Sequence, residues 1–600
     1  MDLKNYYQKR VQEFAERADF LKAKYNRFSV IRLIAFIGGG ILIAVIGTMV
    51  PWWATALIII IALIAFSKFV FWHQAIQDQH LHYKALSMVN KNELSCIHDD
   101  YSVFEDGKEF LDPSHSYAVD LDIFGPYSFF QYVNRTSTAI GKLRLAKHLK
   151  TGASRQEISD RQIAIRELNA KTDWRHHFQA KGMNTKDNLQ HVRALEAWMK
   201  EKPFVSNNKL YSISPYLSPL IITAGAIITF YYFSWYAFLL FLIPSAYILK
   251  KTLTQVGDTH QQTSHAEKIL AYYARMIEHI ETASFESPKL KELQALFFKN
   301  EQTASLSISR LSYIIAQLNV RYNAFAIVLN LFALWDLIWI KALEKWKAAQ
   351  SERLLDWFEG LQEFEALNSF GNLYYNNPEW IFPEITDSSD LIGLDLGHPL
   401  IQAGKRICND LKMPTQAHIK LVTGSNMAGK STFLRTVGLN IVLAMSGSPV
   451  CAKRFELPLI RVFTSMRTQD ALHESTSSFY AELKRLKFII EEVEDRQDTN
   501  TDIFFLLDEI LKGTNSVDRH TGSKALIRQL IKSKGSGIIA THDLELAALE
   551  AESNGTVENL CIEVEVKDDK LFFDFKIKPG VSKSFNATQL MRSMGIRIEG

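Results

Sequence analysis

The chain has 600 residues, 47% of them hydrophobic and 22% charged. That length exceeds what one hydrophobic core organises, so several domains are expected. The net charge of +3 is small and leaves no nucleic-acid footprint at whole-chain level.

The first 28 residues are polar and helical in pattern. An uncharged block follows from Leu33 to Ser67, interrupted by Pro51-Trp52-Trp53. One helix needs ~20 apolar residues to span a bilayer, so the block fits two short spans joined by a tight turn. The proline breaks the helix and the tryptophans suit the interface. A second uncharged block runs from Leu210 to Leu249, with a turn expected at Ser234-Trp235-Tyr236 and with Pro215, Pro219 and Pro244 marking its ends. Ile58 to Ile61 and Phe238 to Ile243 are apolar on every side, where a buried hairpin of a soluble core would show a polar face. Arg27, Arg32, Lys209, Lys250 and Lys251 flank the blocks, so both ends of each hairpin are expected in the cytoplasm. No cleaved signal peptide is expected.

Residues Asp258 to Gln317 and Lys341 to Leu367 have helical spacing, as in Leu270, Tyr273, Met276 and Ile277. Between them, Tyr322 to Ile340 is apolar but holds Asn323, Asn330 and Asp336. A charged residue within a span is costly, which favours a buried or interfacial core helix over a further span. The cysteines, Cys96, Cys408, Cys451 and Cys561, have neither disulfide nor metal spacing and suit a reducing compartment. His73, His80, His82, His176 and His177 form no ligand motif and are expected at the surface.

The strongest local signal lies further on. Gly424-Ser425-Asn426-Met427-Ala428-Gly429-Lys430-Ser431 fits the phosphate-loop pattern G-x-x-x-x-G-K-S/T without a mismatch. His418 to Thr423 reads as a buried strand before it and Thr432 to Met445 as a helix after it. Such a loop turns backbone N–H groups toward an anion, and the helix dipole adds attraction. Lys430 would reach the β- and γ-phosphates of ATP, and Ser431 would hold Mg²⁺. A second apolar strand, Ile503 to Leu507, ends in Asp508-Glu509. There Asp508 would bind the metal through its water shell and Glu509 would orient or deprotonate the attacking water. A third strand, Gly537 to Ala540, ends in Thr541-His542, and His542 could sense the γ-phosphate. Read singly, Asp508-Glu509 is the acidic end of a strand and His542 a structural histidine. Glu491 to Asp495 reads as a solvated helix end.

Thr423 to Arg435 resembles the phosphate loop of the MutS mismatch-repair ATPases, T-G-P-N-M-x-G-K-S-T, including the Asn-Met pair. Leu507 to Ser516 is similar to the family's D-E-I-G-x-G-T-S segment. Phe463-Thr464, Gln469-Asp470, Ser477-Ser478-Phe479 and Glu482 resemble the stretch that carries its signature serine. Gly397-His398-Pro399, Asn409-Asp410 and Lys578-Pro579-Gly580-Val581-Ser582 match further short motifs. Upstream, Leu121-Asp122-Ile123-Phe124-Gly125, Asn134 to Thr138, Gly141-Lys142, Arg161-Gln162 and Ile165 to Leu168 resemble the start of the MutS helical core.

The resemblance implies an ABC-type α/β phosphate-loop ATPase at the C-terminus, preceded by an all-α core and lever. It implies binding of ATP through residues 424–431, Thr432 and, from a partner chain in a homodimer, Ser477 or Ser478. The expected organisation is a cytoplasmic helical segment (1–28), a transmembrane hairpin (29–73), the first part of the core (74–209), a second hairpin (210–251), the second part of the core and lever (252–385), and the ATPase domain (386–600). The family's mismatch-reading domain with its F-x-E wedge is not recognisable before residue 118, and no nuclease tail is expected. The second hairpin falls about where the family inserts its DNA clamp. DNA therefore stays open as a partner, without mismatch preference. The expected location is the bacterial inner membrane, multi-pass, with the ATPase facing the cytoplasm. A transporter component and a nucleotide-switched membrane scaffold are the rival readings.

Overall fold

The structure is a computed structural model and describes residues 2–183, 187–232, 235–298, 303–323, 326–425, 428–467, 478–495, 501–567 and 570–582. Helices α1 (Leu3–Gly47) and α2 (Trp52–Ile97) form a long antiparallel hairpin that turns at Pro51. Each helix has two chemically different halves. Near the turn the apolar side chains, among them Ile34, Phe36, Trp52 and Ile64, are exposed. Toward the far ends Tyr7, Phe14, Ala18, Leu21, Ala85, Leu86 and Val89 are buried. By length and composition α1, α2 and a later helix, Lys209–Tyr231, are apolar enough to cross a membrane.

The histidines expected at the surface are not exposed. His73 is buried, stacks on Tyr25 with ring centroids 4.2 Å apart, and reaches Tyr25 O at 3.1 Å. His80 Nδ1 lies 2.9 Å from Ala18 O, and His82 Nε2 lies 2.8 Å from His177 Nδ1. His176 is fully buried. These rings bridge α1, α2 and the helix Thr172–Gly182, a cross-helix role that has no motif in sequence.

Helices α3 (Ala139–Lys150) and α4 (Arg155–Ala170) open the helical core. The second hairpin is α5 (Lys209–Tyr232) and α6 (Trp235–Thr263). Pro215 and Pro219 lie inside α5 and Pro244 inside α6, so the prolines do not mark the ends as expected. Neighbouring helices and hydroxyl side chains make such prolines tolerable; here Ser218 and Ser245 are buried and bonded to each other at 2.7 Å. Helices α7 (Ala266–Glu281) and α8 (Ala304–Asn319) follow, and Leu270, Tyr273, Met276 and Ile277 form the buried stripe of α7.

Tyr322 to Ile340 is not one helix. It is divided into α9 (Ala326–Ala333) and the 42-residue α10 (Trp335–Asn376), bent by 77° at Leu334, which is left-handed with φ 49°. Side chains satisfy the broken ladder: Ser218 Oγ donates to Phe332 O at 2.9 Å and Asp336 N to Asn330 Oδ1 at 3.0 Å. The buried Asp336 carboxylate is 3.7 Å from Arg321.

Helix α10 organises what surrounds it. Its Glu365 is buried and accepts Ser137 N at 2.6 Å, Thr138 N at 3.2 Å and the Thr138 hydroxyl, at the N-terminus of α3. Gly141 leaves room for this approach, since a Cβ there would meet Glu365 Oε2 at 2.1 Å. At the far end of α10, Asn376 accepts from Tyr7 Oη at 2.8 Å and donates to Glu93 Oε2 at 2.8 Å, and Glu93 forms a buried ion pair with Arg135. The first hairpin is thereby locked to the end of α10 that leads into the α/β region.

That region holds two sheets. The strands β1 (Glu384–Ile385), β2 (Asp390–Leu396), β3 (Asn409–Pro414) and β5 (Arg454–Leu457) form one, in the order β1-β5-β2-β3. The other joins β4 (Ile419–Gly424), β6 (Ile460–Ser465), β7 (Asp502–Asp508), β8 (Ser536–Thr541), β9 (Val557–Lys567) and β10 (Lys570–Pro579) in the order β10-β9-β4-β8-β7-β6. All neighbours in it are parallel except β10, which runs antiparallel to β9. Strands β4 and β8 are buried along their whole length, which matches the buried strand expected at His418 to Thr423. Asn409 links the sheets, donating to Phe575 O at 3.1 Å and accepting from Ile577 N at 2.9 Å.

Burial raises the Glu365 carboxyl to about 7, against the lowering effect of its Thr138 and Ser137 hydrogen bonds. Its folded value exceeds the ordinary 4.5, so this contribution to stability is complete below pH 4.5 and is lost as pH rises through about 7. Glu365→Gln is expected to flatten that part of the stability profile, a change on the order of a few kcal/mol. Unfolding midpoints of both proteins between pH 4.5 and 8 would check it, and identical slopes would refute it.

Candidate functional site

The parallel strands β4, β8 and β7 lie side by side, with Thr423 opposite Thr541 and Ala540 opposite Asp508. Their C-terminal ends therefore bring Gly424, Asp508 and Thr541-His542 to one edge, where open α/β sheets place their ligands. The chain leaves β4 at Gly424, turns, and enters α11 (Lys430–Ser446). Gly429 caps that helix with φ 98°, a left-handed conformation that suits glycine.

Lys430 is buried at the centre of the turn. Its Nζ lies 2.9 Å from Gly424 O, 3.1 Å from Ser425 O and 3.2 Å from His542 Nε2. Burial lowers its pKa, against the carboxylates of Asp508 and Glu509. Ser431 Oγ donates to Asp508 Oδ2 at 2.5 Å. The second carboxylate oxygen of Asp508 is buried without a hydrogen-bond partner among the described residues. An orphaned carboxylate oxygen beside a serine hydroxyl is the hard oxygen donor set that Mg²⁺ takes, so the residues fit that ion.

Glu509 Oε1 lies 2.9 Å from His542 Nε2, and Oε2 lies 3.1 Å from Lys512 Nζ. The His542 hydrogen bond, with help from Lys512 and against burial, holds the Glu509 carboxyl down at about 2. The carboxylate is thus ionised at neutral pH. Its backbone is left-handed, with φ 51°, as is that of Leu511, with φ 61°. Non-glycine residues in that region cost about 1–3 kcal/mol each and cluster at functional sites.

The structure thus unites Lys430, Ser431, Asp508, Glu509 and His542. Ala428 is buried beneath the turn and Thr432 is exposed on the first turn of α11. Asn426, Met427 and Ser477 lie outside the described residues. Ser478 is the first residue of helix α12 (Ser478–Glu494), and its side chain is likewise outside them.

Several neighbours were given no role at the site by sequence, although Glu482 and Lys512 fall in segments that resemble family motifs. Lys512 pairs with Glu509, and Glu482 of α12 accepts from Leu511 N. His520, on α13 (Ser516–Lys532), places Nδ1 2.9 Å from Asp543 Oδ2, next to His542. A cavity of 640 Å³ opens beside Asp508 and Glu509, between α12 and residues 113–120. In it Asp120 accepts from Thr464 Oγ1 at 2.7 Å, Met466 N at 3.1 Å and Arg467 N at 3.0 Å. Only the fold brings residue 120 to residue 464.

Among known families, MutS domain V matches residues 420–596. The DNA mismatch repair protein MutS of Aquifex pyrophilus is 31% identical over 221 residues, covering 36% of this chain and 25% of that protein. The MutS of Thermotoga neapolitana is 32% identical over 253 residues, covering 41% of this chain and 30% of its own length. The DNA mismatch repair protein MSH4 of Arabidopsis thaliana is 31% identical over 220 residues, 36% of this chain and 27% of that protein. The chain therefore spans less than a third of the length of these relatives. Across residues 420–596 the chain is similar to MutS domain V.

Proposed function

We propose that this chain is a membrane-anchored MutS-like ATPase that binds and hydrolyses ATP at a dimer interface and converts the cycle into motion of its helical core. The observation that carries the reading is the meeting of Lys430, Ser431, Asp508, Glu509 and His542 at one edge of three parallel strands. Backbone N–H groups of residues 424–431 and the Lys430 ammonium would hold the β- and γ-phosphates. Ser431 and Asp508 would hold Mg²⁺, whose charge offsets that of the phosphates when bound. Glu509 would orient the attacking water. A carboxylate held at about 2 is a weak proton acceptor, so orientation outweighs proton abstraction in its contribution. His542, in contact with both Lys430 and Glu509, is placed to register the γ-phosphate.

The same reading assigns Ser477 or Ser478 to the partner's nucleotide in a homodimer and places the ATPase on the cytoplasmic side of a bacterial inner membrane. The exposed apolar halves of α1 and α2 support the bilayer contact: surface of that extent needs a partner, and lipid is the one that suits helices apolar on all sides. DNA stays an open partner, bound if at all through phosphate contacts without mismatch preference. One feature favours the transporter reading, the helix break at Leu334, since broken helices line transport sites. The nearby Asp336 carboxylate is buried 3.7 Å from Arg321 there, so its charge is already paired.

Lys430→Ala is expected to weaken ATP binding, whereas Glu509→Ala keeps binding and loses turnover by roughly 10²-fold. Titration with a fluorescent ATP analogue and phosphate-release assays separate the two, and equal loss of binding in both variants would contradict the roles.

Membrane fractions washed with alkaline carbonate are expected to retain the full-length protein, because apolar spans do not release with salt or alkali. Its recovery in the soluble fraction would sink the membrane reading.

A further inference from the structure

The loop that carries Glu509 departs from regular backbone at two places, Glu509 and Leu511, both left-handed and neither a glycine. Such a turn persists only where its surroundings hold it. On one side β8 holds it, since Glu509 N donates to Ala540 O at 2.9 Å. On the other side α12 holds it, since Leu511 N donates to Glu482 Oε1. The Lys512 N–H also lies toward the Glu482 carboxylate. A second contact lies one turn before: a Cβ on Gly513 would come within 2.6 Å of Phe479 Cβ, so the loop and the first turn of α12 are in close packing.

Helix α12 is itself anchored one turn beyond Glu482. Arg485 Nε donates to Thr464 O at 2.9 Å, and its Nη2 donates to His115 O at 3.0 Å and to Ser116 O. Leu486, Ile489 and Val493, at helical spacing from Glu482 and so on the same face, bury the helix against β7 and its neighbours. Glu482 thus stands on a fixed helix and reaches the one loop whose shape sets the direction of the Glu509 carboxylate.

We propose that Glu482 is a positioning residue for ATP hydrolysis: through the Leu511 N–H it fixes the left-handed turn that aims Glu509 at the attacking water. The proposal rests on the ATPase reading above. It also gives α12, which begins at Ser478, a direct hold on the catalytic loop of its own chain.

Full-length wild type, Glu482→Ala and Glu482→Gln, each in detergent, decide it. Glu482 is only half-buried and alanine is the better helix former, so Glu482→Ala is expected to fold. Its kcat is expected to fall roughly 10- to 100-fold with ATP affinity unchanged, the signature of a misplaced catalytic group. Glu482→Gln keeps a carbonyl oxygen for the Leu511 N–H and is expected to hold most of the activity. Hydrogen exchange at the Leu511 amide is expected to speed up in the alanine variant and stay slow in the glutamine variant. A wild-type kcat in Glu482→Ala, an equal loss in Glu482→Gln, or unchanged Leu511 exchange in Glu482→Ala would overturn the proposal. A wild-type protein that turns over no ATP would instead overturn the ATPase reading, and the exchange measurement would still decide whether Glu482 holds the loop.

Discussion

Parallel alignment of β4, β8 and β7 is the constraint on which the rest depends. Their hydrogen-bonded register, with Thr423 beside Thr541 and Ala540 beside Asp508, leaves three chain ends at one edge within side-chain reach. Parallel pairing requires crossover connections, and these supply the helices that cover both faces. Each strand can then be largely apolar, while Gly424, Asp508 and Thr541 fall together at one edge. The Ser431 to Asp508 and His542 to Glu509 contacts are consequences of that register.

A second dependence runs outward from the edge through buried polar groups. Asp120 and Arg485 join residues 113–122 to β6 and α12, and Arg435 of α11 donates to Asp120 O at 3.0 Å. From there the chain continues into α3, whose first turn is held by Glu365 of α10. The end of α10 meets the first hairpin at Asn376, Glu93 and Tyr7. Breaking one member of such a buried pair leaves the other uncompensated, so these contacts tie the helical elements to one another.

Legibility differed by the range of the interaction involved. The turn after Gly424, the strand ending at Asp508 and the strand ending before His542 could all be read, because each is a local pattern of residue types along the chain. The hairpin blocks were legible for the same reason, as long runs without charge. The histidines of α2 are not legible, because a ring nitrogen bonded to a carbonyl 48 or 62 residues away has no signature in the residues beside it. The prolines taken to mark the ends of the block Leu210 to Leu249 lie inside α5 and α6, where packed helices supply other partners for the freed backbone groups. Tyr322 to Ile340 was read as one helix because hydropathy does not register a single left-handed residue at Leu334.

By itself, then, the amino-acid sequence determined the strands, the phosphate-type turn, the apolar hairpins and the identity of the groups at the edge, since nearest-neighbour sterics and hydrophobic patterning act along the chain. The tertiary structure alone decided which strands are neighbours, that Glu482 meets Leu511, that Asp120 meets Thr464 and that Glu365 caps α3. Those contacts join residues tens to hundreds of positions apart. Their partners are selected by burial and by the need to satisfy polar groups away from water, conditions that exist only once the chain has folded.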